Sequence, residues 1–266
     1  MKFSKPVMSG IVLIAAGLGS ILVVACATKT AARVESADYR SVYSNSWHSG
    51  LGGLTFQQTA PTNITLVNDP VASGRRAIRV ELRKNQDFSH LINRLPRAEF
   101  LLPRDIQFAS GHEYLIRWRT YLPSDLGFDS KQFAIITQIH QGAHSGSPPV
   151  MLQLFGSEYV ISVRGGRDTT YDTQRHLCCA ANDRGRWVDW VIRYAPDSSG
   201  RQAITQVWKD ELAVFEANGI PNAYVGDQHS YLKFGIYKPS WQTYPTDVDA
   251  LAVYFGDISV DVKRND

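Results

Sequence analysis

From residue 41 onward, apolar and polar positions alternate with a period of two. Leu115-Ile116-Arg117-Trp118-Arg119-Thr120-Tyr121, Val150-Met151-Leu152-Gln153-Leu154-Phe155 and Trp187-Val188-Asp189-Trp190-Val191-Ile192-Arg193-Tyr194 are rich in β-branched and aromatic residues. Bounded by Gly, Pro, Asp or Ser, such runs read as strands. The segment from Gln206 to Phe215 predicts a tight hairpin around Lys209-Asp210-Glu211. Leu251 to Val260 predicts either a closing strand pair or one bulged strand. No segment keeps an i, i+3, i+4, i+7 apolar stripe for more than about two turns, so helices do not build this domain. Short strands with long loops between them predict an all-β fold over residues 41–266, a two-sheet antiparallel β-sandwich of jelly-roll type. No internal repeat or low-complexity segment divides it.

The start of the chain follows another logic. Met1-Lys2-Phe3-Ser4-Lys5 is a short basic opening, followed by an uncharged run of 19 residues from Val7 to Ala25. Small residues and glycines interrupt that run, as in the apolar region of a secretory signal. The run also reaches the lower edge of membrane-spanning length. Its end, Leu22-Val23-Val24-Ala25-Cys26, resembles the bacterial lipobox, in which cleavage precedes a cysteine that is then lipidated. The expectation is a signal peptide over 1–25, a lipidated Cys26 opening a polar tether over 26–40, and a location in the cell envelope or outside the cell. The membrane is then a partner through the lipid anchor.

Composition narrows the partners. The chain has 28 Lys and Arg against 25 Asp and Glu, and only Lys2 and Lys5 precede Cys26, which leaves 26 against 25 for the rest. That balance excludes a general nucleic-acid binder, which needs a basic excess or stripe. Beyond Cys26 the only cysteines are the adjacent Cys178 and Cys179, with His176 nearby. They match neither a spaced disulfide framework nor zinc-ligand spacing, and read as a vicinal disulfide or as two free thiols.

Three predicted strands carry polar faces that core packing does not explain. In Gln132–His140, alternation puts Gln138 and His140 on one face and Ile139 on the other; in Arg97-Ala98-Glu99-Phe100 it puts Arg97 beside Glu99. In Tyr231-Leu232-Lys233-Phe234-Gly235-Ile236-Tyr237, Leu232, Phe234 and Ile236 form the apolar face, opposite Tyr231, Lys233, Gly235 and Tyr237. Long hydrogen-bonding side chains of this kind suit an anionic or hydroxyl-rich ligand. A mid-strand Gly235 leaves room for close approach to the backbone.

These three segments, in this order, resemble the signature strands of jelly-roll polysaccharide lyases, whose alginate-cleaving members show R-x-E-L-R, Q-I-H and Y-F-K-x-G-x-Y. The stretch from Gly185-Arg186-Trp187 through Val207-Trp208 to Tyr237 is closer to the heparin lyase and glucuronan lyase branch. The resemblance covers about residues 45–262, and it departs from the alginate pattern at Phe100-Leu101, where Leu-Arg is usual. It implies β-elimination on a uronate-containing polysaccharide, glucuronan- or heparin-like ahead of alginate.

Elimination removes the C5 proton of a uronate and expels the oxygen at C4, so the neighbouring carboxylate must be neutralised first. Arg97 and Gln138 are the candidate donors, His140 the candidate base and Tyr237 the candidate acid, or base and acid together. Lys233 and Tyr231 are candidate substrate contacts, Glu99 an orienter of Arg97, and His90 a candidate lining residue. His48, His112, His144, His176 and His229 lack such settings. The Gly142–Pro149 loop reads as a lid. No cofactor is required by this chemistry; a structural calcium ion, with Asp257 or Asp249 contributing, is compatible with related folds. No E-x-D-x-x-E-like pair of carboxylates for glycoside hydrolysis is present. A non-catalytic carbohydrate-binding surface lipoprotein is the competing reading, with Trp241 and Tyr244 as its stacking platform.

Overall fold

The computed structural model describes residues 36–142, 146–167 and 173–264. The expected signal peptide, Cys26 and most of the tether lie outside the described residues, as does the centre of the expected lid, residues 143–145. In chain order the strands are β1 (Tyr39–Asn45), β2 (Thr55–Gln57), β3 (Ile64–Asn68), β4 (Arg76–Arg83), β5 (Arg97–Leu101), β6 (Gln107–Phe108), β7 (Tyr114–Tyr121) and β8 (Ala134–His140). They continue as β9 (Val150–Phe155), β10 (Glu158–Val163), β11 (Thr173–Cys178), β12 (Trp187–Ala195), β13 (Ile204–Lys209), β14 (Leu212–Glu216), β15 (Ser230–Tyr237) and β16 (Ala250–Lys263).

The strands form two antiparallel sheets. The first runs β14-β13-β12-β7-β16-β4-β3, with β1 also on β16; the second runs β11-β10-β9-β8-β15-β5-β2, with β6 also on β15. The core lies between them. Trp118 and Trp190 stack at 6.1 Å from β7 and β12, and Phe100, Phe234 and Phe255 meet from both sheets at 5.4–5.7 Å. This is the expected two-sheet sandwich. Its mean alternation follows from the physics of a half-buried sheet, in which one side chain in two leaves water.

Several expectations sharpen. The hairpin closes on two residues, with Lys209 paired to Leu212 and both Asp210 and Glu211 at positive φ, the mirror-image turn that matches strand twist. The closing segment is one strand of 14 residues with an irregularity after Phe255, the bulged alternative. The fold begins earlier than expected. Tyr39 is buried and pairs with Lys263, so residues 39 and 40 belong to a strand and not to a tether. Cys178 and Cys179 are joined to each other, the disulfide alternative. Trp241 is no platform: it is fully buried and its Nε1 donates to the Val248 carbonyl at 2.9 Å. Tyr244 is 66% exposed. Asp257 pairs with Arg75, and Asp249 is exposed. Among the described residues no group of three or more His, Cys, Asp or Glu side chains converges as a metal site would.

Candidate active site

Alternation on three neighbouring strands places the polar set. On β15, Leu232, Phe234 and Ile236 are fully buried in the core, which turns Tyr231, Lys233 and Tyr237 to the free face of the second sheet. On β5, Ala98 and Phe100 take the core and leave Arg97 and Glu99 on the free face. On β8 the core takes Ala134, Ile136 and Ile139, and an irregularity between Ile135 and Thr137 shifts the parity. Gln138 and His140 therefore join the same face as Lys233 and Tyr231, their register partners. Gly235 stands opposite Glu99 at φ +142°, and a methyl there would collide with the Ala98 carbonyl oxygen and the Glu99 backbone. The glycine is what lets β5 lie this close to β15.

The side chains form a buried polar layer under a half-buried rim. Arg97, Glu99, Gln138 and Lys233 are each no more than 5% exposed, whereas Tyr231, Tyr237 and His140 are half-buried. Glu99 is the centre. Gln138 Nε2 donates to Glu99 Oε1, while Arg97 and Lys233 each approach Glu99 Oε2 to 3.7 Å without hydrogen-bonding it. The layer thus holds two formal positive charges against one negative. Arg97 is otherwise held by long contacts, from Nε to the Leu95 carbonyl at 3.5 Å and from NH1 to Gln57 Oε1 at 3.4 Å. Its guanidinium stacks on the Tyr237 ring at 4.2 Å from the centroid. An under-bonded fork beside a net positive charge has the chemistry to receive a carboxylate.

The structure brings together seven of the eight residues expected from the sequence. Tyr237 and Arg97 occupy one end of the cluster; at the other, the His140 and Tyr231 rings lie 5.2 Å apart and Lys233 Nζ is 5.8 Å from the Tyr231 ring. His140 and Tyr237 are not register partners: His140 faces Tyr231, six residues before Tyr237 on β15. His90 does not join them. It is exposed on the loop before β5 and interacts with Asp87. Gln57, missed in the sequence, does: its Oε1 accepts from Lys233 Nζ at 3.2 Å and from Arg97, since β2 pairs Gln57 with Glu99. A three-residue strand offers no periodicity from which to read it.

Environment sets the protonation states. The His140 Nδ1 lies 2.8 Å from the Gln141 carbonyl, which can only accept, so Nδ1 carries the proton and Nε2 the free lone pair. Burial, reinforced by the Lys233 charge, lowers the His140 pKa from 6.5 to about 4. Burial raises Tyr237, with Arg97 opposing, and also raises Tyr231; it lowers Lys233 against the pull of Glu99. At neutral pH the site therefore offers an unprotonated imidazole and a protonated phenol. The linkage has a sign: below pH 6.5 the unfolded chain binds a proton that folded His140 refuses until about pH 4, so stability is lost as pH falls through that window. Thermal melts from pH 7 to pH 4 are expected to show this loss, and His140→Gln is expected to remove that share of it. An unchanged pH profile in the variant would contradict the assigned environment.

A family model described as "Polysaccharide lyase" matches residues 39–259. Among solved structures, the chain is similar to an endo-β-1,4-glucuronan lyase from the fungus Trichoderma reesei, with 16% identity, a TM-score of 0.70, and coverage of 83% of this chain and 95% of that one. It is also similar to the marine PL7 alginate lyase AlyA1 from Zobellia galactanivorans, with 13% identity, a TM-score of 0.53, and coverage of 80% and 86%. The binding domain of botulinum neurotoxin serotype G shares the fold at 8% identity and a TM-score of 0.51, covering 85% of this chain and 49% of that one. At such identities the likeness is one of fold. No curated protein sequence matches the chain.

Proposed function

The chain belongs to the polysaccharide lyase family, whose model spans nearly all of the folded region, and on that premise we propose that it cleaves a uronate-containing polysaccharide by β-elimination, with glucuronan- or heparin-like glycans ahead of alginate. The observation that carries this reading is the buried Arg97–Glu99–Lys233–Gln138 layer, with its net positive charge, beneath an unprotonated His140 and a protonated Tyr237. A hydrolase would need two carboxylates at this place. Among the described residues Glu99 is the one carboxylate of that layer, engaged by Gln138, and the buried Asp227 near His140 and Tyr231 is occupied in accepting hydrogen bonds from Gly142 N, His229 N and Ser230 Oγ.

The substrate carboxylate sits on the Arg97 fork and on the second N–H of Gln138, which neutralises it and holds the charge that develops at C5. His140 Nε2 takes the C5 proton; the electron pair left behind forms the C4–C5 double bond as the C4–oxygen bond breaks. Tyr237 gives its proton to the departing oxygen. Environments that push two titrating groups in opposite directions separate acid from base, and here they leave His140 empty and Tyr237 loaded. Lys233 and Tyr231 hold the neighbouring sugar, and Glu99 positions Arg97. The chemistry needs no cofactor. Lipidation at Cys26 would hold the enzyme at the cell envelope, against an acidic polysaccharide outside the cytoplasm.

Incubation of the protein with glucuronan, heparin, heparan sulfate, hyaluronan and alginate, each followed by ultraviolet absorbance of the unsaturated uronate, tests the reading. A rise with glucuronan or heparin is expected. Binding without a rise on any of them would overturn the enzyme and leave a carbohydrate-binding protein.

A further inference from the structure

The free face of the second sheet continues past the catalytic row. That row crosses the sheet as Gln153, Ile135, Tyr237 and Arg97, which are register partners on β9, β8, β15 and β5. One pleat repeat further along, about 7 Å away, the same face presents Phe155 beyond Gln153, Phe133 beyond Ile135, and Pro239 beyond Tyr237. With Tyr244 and Pro245 these three line a cleft of about 620 Å³. Phe133, Phe155 and Tyr244 are 38%, 37% and 66% exposed, so three of the seven large exposed apolar side chains among the described residues meet in this one place. Scattered exposed apolar residues need no explanation, but a converging aromatic set does.

The walls are fixed. Lys238, between Tyr237 and Pro239, is fully buried and pairs with Asp129 at 2.7 Å, while Gln132 Nε2 donates to the Tyr244 and Pro245 carbonyls at 2.8 and 2.7 Å. The one charge on the rim, Lys131, is paired with Asp247 at 2.6 Å. The cleft is thus a preformed, apolar, aromatic slot, continuous through three strands with the row that holds Tyr237. It is too small for a protein interface.

We propose that this cleft is a sugar-stacking subsite, which takes the C–H face of a pyranose ring of the same polysaccharide chain beyond the bond being cleaved. This rests on the lyase reading for the identity of the polymer. A chain whose scissile bond lies over Tyr237 has its following ring within one pleat repeat of Phe133 and Phe155. The slot therefore favours long chains over short fragments.

Equilibrium binding of glucuronan and of its disaccharide, measured on the full protein and on Phe155→Ala and Tyr244→Ala, tests this. Both side chains are exposed, so thermal melting should be unchanged. Each variant is expected to bind the polymer roughly three- to tenfold more weakly and the disaccharide equally well. Unchanged polymer affinity in both variants, or no polymer binding by the wild type, would overturn the subsite. Polymer binding that weakens in the variants, in a protein that eliminates none of the five glycans, would overturn the lyase and keep the subsite.

Discussion

Tyr237→Phe leaves the protein folded and able to bind its glycan, but lowers turnover by roughly 10²–10⁴, the usual worth of a placed general acid. The hydroxyl's hydrogen-bonding neighbour is Arg97, which also keeps its contacts to the Leu95 carbonyl and to Gln57. The ring keeps its stacking on Arg97, and β15 is anchored by Leu232, Phe234 and Ile236 on its other face. The effect should therefore fall on kcat, with KM little moved, because the proton is delivered only as the C4–oxygen bond breaks. His140→Ala is the companion. If His140 is the base, it falls by a comparable factor. If it keeps most of the turnover while Tyr237→Phe loses it, the phenol does both proton transfers and the division of labour argued above is wrong.

Arg97→Ala removes the fork on which the substrate carboxylate rests, and with it the net positive charge of the buried layer. A loss of about 10²–10³ in kcat/KM is expected, the scale on which preorganised donors to a developing oxyanion act. Arg97→Lys should recover little, since a point charge replaces a planar bidentate donor that also stacks on Tyr237. Stability is cushioned in both, because Glu99 keeps Lys233 at 3.7 Å and its hydrogen bond from Gln138. Steady-state kinetics beside thermal melts separate these effects. A collapse of the melt with proportionate loss of activity would make Arg97 a structural ion-pair partner and no more.

Much of the site was legible because strand alternation is rigid: once Leu232, Phe234 and Ile236 are assigned to the core, Tyr231, Lys233 and Tyr237 have one place to go. Arg97 and Glu99 follow from the same rule on β5. The parity of β8 was legible only at its end. Gln138 and His140 read correctly from Ile139, but the irregularity before Thr137 hides the fact that Ile135 and Phe133 share their face. The edge pieces were beyond reach for different reasons. β2 and β6, of three and two residues, are too short to show a period. β11, Thr173–Cys178, is a mostly exposed edge whose polar sequence looks like a loop. Nearness in sequence to Arg97 is the only signal for His90, and it does not fix the direction of an exposed loop residue. Trp241, the platform of the competing binding-protein reading, is buried, and composition cannot tell an aromatic on a loop from one tucked beneath it.

The long final strand has a consequence for how the molecule is made. β16 pairs with β7 along most of its length, with β4 over Ala250–Phe255 and with β1 over Ile258–Lys263. All three partners have been synthesised once Tyr121 is made, and none can pair on its β16 side until residues 250–263 have left the ribosome. The nascent chain therefore carries open strand edges through the making of more than half its length, which exposes it to wrong pairing and to chaperones. Completion of the first sheet waits on pairings distant in sequence, the slow regime for β topologies. Because β16 lies between β7 and β4, its loss divides the first sheet in the middle and does not merely trim an edge.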